Sequence, residues 1–146
     1  MKRQAGFTLI ELLITLVVVG ILTAVVVPTY GSYVLRTRLT DAYAGLSGMQ
    51  PLAEQFWANE HSYEEMGEEG AGVLPAATEN FTYALTASSD TGYTVTATGR
   101  NGAAGFRFTI DQNGRRTSAL SAARIAEGWA ASNRCWVSDK GGKCSE

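Results

Sequence analysis

Gly6-Phe7-Thr8-Leu9-Ile10-Glu11, running on without another charge to Val27, is the stretch that decides how the rest of the chain is read. Two cations, Lys2 and Arg3, precede it. They favour the cytoplasmic side of a bilayer, so the N-terminus is expected inside. At 1.5 Å per residue a helix over Phe7–Val27 would cover ~30 Å, one hydrocarbon core. A secretory signal has a shorter apolar region with a small-residue cleavage site behind it. Here Pro28, Thr29 and Tyr30 follow instead, so the apolar run is expected to stay with the mature protein.

Glu11 is the misfit in this run. A carboxylate well inside a bilayer costs about 2–3.5 kcal/mol on insertion scales. Two readings apply. Glu11 can lie near the interface in the first helical turn, where the helix dipole favours an anion. Alternatively it waits for a cation, and a cut between Gly6 and Phe7 would create one in the new α-amino group of Phe7. The amine of an axially staggered neighbour reaches such an acid more easily than the amine of its own helix.

On these residues the chain resembles the type IV pilin and pseudopilin family: a short basic leader, Gly before the cut, Phe after it, and Glu at the fifth mature position. The resemblance implies that a membrane prepilin peptidase cleaves after Gly6 and N-methylates Phe7, and that Glu11 is needed for assembly. It also implies that Gly20 and Pro28 bracket a segment that loses helical hydrogen bonds in filaments. The local chemistry agrees, since Pro removes a donor and Gly lowers helix propensity. The implied partners are other pilin subunits in a helical filament, the peptidase and methyltransferase, an inner-membrane assembly platform, and membrane lipid before assembly. The implied location is the bacterial inner membrane with the head in the periplasm, then an extracellular pilus.

After Pro28 the pattern becomes amphipathic. Leu35, Leu39, Ala42, Leu46, Met49, Ala53 and Phe56 recur at steps of four and three, one face of a helix. The expected divisions are a leader at 1–6, an assembly half of the helix at 7–28, an amphipathic half at 29–60, and a head at 61–146. Gly45, Gly48 and Pro51 cluster inside the second half, and Pro51 is expected to bend or loosen it. Tyr30 and Tyr33 fit an interfacial belt, and Tyr43 fits ordinary packing.

His61 to about Asn80 reads as an exposed loop. Its Glu64, Glu65, Glu68 and Glu69 lack the ligand spacing of a calcium loop and are expected to be a solvated surface. Strand signals follow. Phe81, Tyr83 and Leu85 alternate with polar or small residues, as do Tyr93, Val95 and Ala97, and then Phe106, Phe108 and Ile110. Asn113-Gly114 signals a two-residue hairpin with a return over Arg115–Ala119. The result is a four-stranded antiparallel meander with one apolar face for the helix stripe.

This order again looks like pilins: an α+β fold with a long N-terminal helix, transmembrane then amphipathic, packed on the four-stranded sheet. The Phe106–Gly114 segment, with Trp129 and Cys135-Trp136, resembles PilE-type minor pilins. The two cysteines, Cys135 and Cys144, beside an exported N-terminus read as one disulfide; the alternative is a reduced pair in a cytosolic protein. Trp129 and Trp136 are expected to pack over the loop it closes.

Function classes separate on the same residues. A single histidine, His61, is too few for common zinc sites. There is no Gly-x-Ser-x-Gly and no phosphate-binding glycine loop. No catalysis, cofactor or metal is therefore expected. Net charge is −2, but Arg100, Arg107, Arg115, Arg116, Arg134, Lys140 and Lys143 interleave with Trp136 and could line one side of the head. Some minor pilins bind DNA with such a stripe, so a DNA contact through Arg115, Arg116, Arg134, Lys140 and Lys143 stands as an alternative to a solvated surface. A secretion pseudopilin is the other alternative. The disulfide favours the pilus, since major pseudopilins usually stabilise that end with calcium.

Overall fold

The computed structural model describes residues 7–145, and the backbone alone of 26–29. Gly6 lies outside them. Two compact units divide between Val34 and Leu35.

The first unit is helical from Leu9 onward. α1 spans Leu9–Glu60, and it is unbroken at Gly20, Pro28, Gly45, Gly48 and Pro51. Pro51 therefore does not interrupt the helix, and it is exposed. His61 ends the helix in the left-handed region, φ 57°, with its N–H donating to the Trp57 carbonyl at 2.8 Å.

The second unit joins the rest of α1 to a sheet in the order β1-β2-β3-β4, every pair antiparallel. The strands are β1 Phe81–Ser88, β2 Tyr93–Gly99, β3 Phe106–Asp111 and β4 Arg116–Leu120. The stripe residues Leu39, Ala42, Leu46, Met49 and Ala53 are buried together with Phe81, Val95, Phe108 and Ile110 of the sheet. Alternation did its work: the inner residues of each strand face the helix, and the other face carries Thr82, Thr86, Thr94, Thr98 and Arg107.

The structure corrects two expectations and adds a short helix and two buried tryptophans. The 61–80 link is not only a solvated loop, because Tyr63, Met66 and Val73 are buried in the core. The β3–β4 turn holds three residues between paired Asp111 and Arg115, with Gly114 at φ +71° and Asp111 Oδ1 accepting from the Asn113 and Arg115 N–H groups at 2.9 Å each. This is the longer hairpin in which Gly takes the left-handed position. A short helix, α2 Ala122–Ala126, was not expected; Ser121 caps it by accepting from Arg124 N–H. Finally, Trp129 and Trp136 turn inward. Trp129 meets Phe106 edge-on at 4.8 Å, and Trp136 stacks on Tyr43 at 5.6 Å.

The C-terminal segment is a small hairpin. Cys135 and Cys144 are bonded, S–S 2.03 Å and Cα–Cα 5.6 Å. Val137 pairs with Cys144, and Ser138 N–H donates to the Lys143 carbonyl at 2.7 Å.

Candidate functional site

Thr8 immediately precedes α1, and its hydroxyl accepts from Glu11 N–H at 3.3 Å, while Leu12 N–H donates to the Thr8 carbonyl at 3.2 Å. This is the Thr-x-x-Glu start that satisfies orphan donors of a first turn. The Thr8-x-x-Glu11 spacing carries this capping signature in the sequence itself. Phe7 is 85% exposed. Glu11 is exposed beside it, where the positive end of the helix dipole favours a carboxylate. Beyond them the large apolar side chains from Leu9 to Val25 are all exposed, with Val18, the least exposed, still at 48%. A Cβ on Gly20 would meet nothing within 4 Å.

The head presents the cations. Arg115, Arg134, Lys140 and Lys143 are exposed, and Arg124–Glu127 is the ion pair among the described residues. Arg116 is half-buried, with its guanidinium 4.4 Å above the Trp136 ring. Trp136 itself is 1% exposed, so it cannot offer a face to a ligand. Arg100 is occupied by the carbonyls of Thr78 and Glu79. Arg107 lines a groove with Thr98 and Ser121 on the sheet, whereas Lys143 lines a different groove with Arg36. The cations do not gather in one groove, and the pairing of Arg36 with Lys143 was missed because the two are remote in sequence.

The aromatic interior is held by phenol hydrogen bonds. Tyr43 donates to the Val137 carbonyl at 2.6 Å and Tyr83 to the Asp41 carbonyl at 2.8 Å. Burial raises the Tyr43 phenol well above its ordinary range and pushes Tyr83 up to about 12. Both remain neutral donors.

Comparison with known proteins identifies the arrangement. A family profile described as "Type IV minor pilin ComP, DNA uptake sequence receptor" matches residues 28–109, more than half of the chain, and the prokaryotic N-terminal methylation motif matches residues 1–27. The chain belongs to the type IV pilin family.

The pilin is 32% identical over 98 residues to the fimbrial protein EcpC of Eikenella corrodens, covering 65% of this chain and 62% of that one. It is 34% identical over 95 residues to the major pilin PilE of Neisseria gonorrhoeae, covering 65% and 56%. A fimbrial protein of Pseudomonas aeruginosa is 46% identical over 54 residues, covering 37% and 35%. The match thus spans about a third to three fifths of these relatives' lengths. Among solved structures, the non-core minor pilin PilV of Neisseria meningitidis shares the fold: TM-score 0.54 at 15% identity, over 62% of this chain and 92% of that one. By name these relatives are fimbrial proteins and pilins. The minor-pilin match ends before β4, so it does not reach the disulfide hairpin or any of Arg115, Arg116, Arg134, Lys140 and Lys143.

Proposed function

We infer that the pilin is a structural subunit of a type IV pilus, first a single-pass inner-membrane precursor with its head in the periplasm and then part of an extracellular filament. The observation that carries this reading is the continuous exposed apolar surface from Leu9 to Val25. Such a surface needs lipid or other helices around it. Membrane lipid supplies this before assembly, and the helices of other pilin subunits supply it afterwards. Transfer of apolar side chains from lipid to a helix bundle gains little, because lipid tails are as apolar as leucine. The polar group therefore sets the preference. Glu11 costs up to about 3.5 kcal/mol in a bilayer, depending on its depth, and a neighbour's amino group on Phe7 would relieve that cost. In this reading the prepilin peptidase cuts after Gly6 and methylates Phe7, and an inner-membrane platform draws the processed subunit into the filament. Gly20 and Pro28 mark where the helix can open during that step.

The experiment has two arms. Gly6→Ala should leave full-length precursor in the membrane, and a normal mature mass would overturn the cleavage assignment. Glu11→Leu should be processed yet missing from sheared filaments, and wild-type piliation would overturn the charge pair.

A second reading, DNA binding by the head, is favoured by the exposed Arg115, Arg134, Lys140 and Lys143, which form no ion pair among the described residues, and by the description of the matching family. Counterion release predicts a gel shift that is strong at low salt and lost at high salt. No shift at low salt would dismiss it.

A further inference from the structure

One groove of the head carries two cations and takes no part in the proposed assembly. It is an open groove of about 430 Å³, lined by Arg36, Thr40 and Tyr43 of α1 and by Ser138, Asp139 and Lys143 of the disulfide hairpin. Arg36 and Lys143 are both exposed, and neither side chain makes an ion pair or hydrogen bond among the described residues. The acid in the lining, Asp139, turns Oδ1 to the Lys143 N–H at 2.9 Å. The walls are fixed from several sides. Tyr43 is hydrogen-bonded to Val137 and stacked on Trp136, and the Cys135–Cys144 bond closes the hairpin. An arginine and a lysine lining one groove, with Thr40 and Ser138 beside them, match the charge and the several acceptor oxygens of a phosphate.

The sequence order points to the source of that phosphate. Arg36 follows the apolar run on the same helix, and between them Tyr30 and Tyr33 are 67% and 69% exposed. An apolar span, exposed tyrosines, then a cation is the order of hydrocarbon, interface and headgroup layer. We propose that, while the chain resides in the membrane, this groove binds an anionic phospholipid headgroup, whose phosphate has no cation of its own to neutralise it, through Arg36 and Lys143. The proposal rests on the membrane-resident precursor of the preceding subsection. A cation near an anionic leaflet contributes about fivefold in affinity, so the pair together contributes about 25-fold.

The test uses the full chain in micelles doped with phosphatidylglycerol or phosphatidylcholine, with retained lipid read by native mass spectrometry. The expected result is a preference for phosphatidylglycerol of about 25-fold, lost in Arg36→Gln/Lys143→Gln and kept in Arg36→Lys/Lys143→Arg. Equal retention of the two lipids by the unaltered chain, or an undiminished preference in the glutamine variant, would overturn the proposal. Displacement of the lipid by inorganic phosphate would overturn the lipid source in favour of free phosphate, and displacement by a short DNA duplex would reassign the groove to DNA. Flotation with neutral vesicles keeps the two readings apart. A chain that fails to float refutes membrane residence, while one that floats without lipid preference refutes the groove alone.

Discussion

Replacing Gly45 with alanine should destabilise the head, although alanine is the better helix former. The propensity term favours the substitution by about 1 kcal/mol. Against it stands Tyr83, which crosses α1 at this point. A Cβ on Gly45 would lie 2.4 Å from the Tyr83 hydroxyl oxygen and 2.6 and 2.8 Å from the nearest ring carbons. Carbon contacts are comfortable only near 3.5–4.0 Å, so the ring must move. Overpacking of this kind costs about 1–3 kcal/mol. Displacing the ring also loses the bond to the Asp41 carbonyl, about 1 kcal/mol net. The balance is a loss of about 1–3 kcal/mol, or roughly 4–13 °C in Tm for a domain of this size. Gly48 is the internal control: a Cβ there meets nothing within 4 Å, so Gly48→Ala should gain about 1 kcal/mol. Thermal and urea melts of the soluble fragment 29–146 would measure both. In a Tyr83→Ala background Gly45→Ala should turn stabilising. If Gly45→Ala raised Tm as Gly48→Ala does, the crossing of Tyr83 over the helix would be refuted.

Cys135→Ser should lower the stability of the same fragment by about 2.7 kcal/mol on the chain-entropy account; an unchanged denaturation midpoint would contradict it. Tyr43→Phe should cost about 1–3 kcal/mol by leaving the Val137 carbonyl without its donor, and a loss below experimental error would show that water replaces the phenol. The head should also weaken in alkali. Burial, with Asp41 adding for Tyr83 and Glu54 for Tyr93, pushes both phenols up to about 12 from 10.0. Between those values the folded chain holds protons that the unfolded chain has released, so stability falls as pH rises through the window. Urea midpoints that stay flat from about pH 10 to 12 would refute this.

The parts legible in the sequence were those with a period. The stripe from Leu39 to Ala53 and the alternation in β1, β2 and β3 are repeats of 3.6 and 2, and each repeat has one buried face. Tyr63, Met66 and Val73 were hidden because irregular backbone imposes no spacing on the residues it buries. α2 was hidden for a different reason: five residues are too few to display a helical period, and only its cap, Ser121, left a mark. Gly45 weakens the helix by propensity, and what it accommodates lies far away in the sequence. Tyr83 lies on another element, and no local rule connects the two. The cation groove has the same character, since Arg36 and Lys143 meet only through the tertiary fold.

This division also fits the work assigned to each unit. Head stability comes from contacts that a periodic sequence only partly discloses, and the substitutions at Gly45, Tyr43 and Cys135 act there. The exposed apolar helix has few such contacts to lose, so its substitutions should leave melting of the head unchanged and act on insertion or assembly. Glu11 is the sharpest case. Its N–H closes the first turn onto Thr8, a bond that any residue with an N–H can make, whereas its carboxylate is exposed. Glu11→Gln would keep the backbone bond, the length and most of the polarity while removing the charge. Loss of filaments in that variant, with processing intact, would therefore assign the effect to charge rather than to helix initiation.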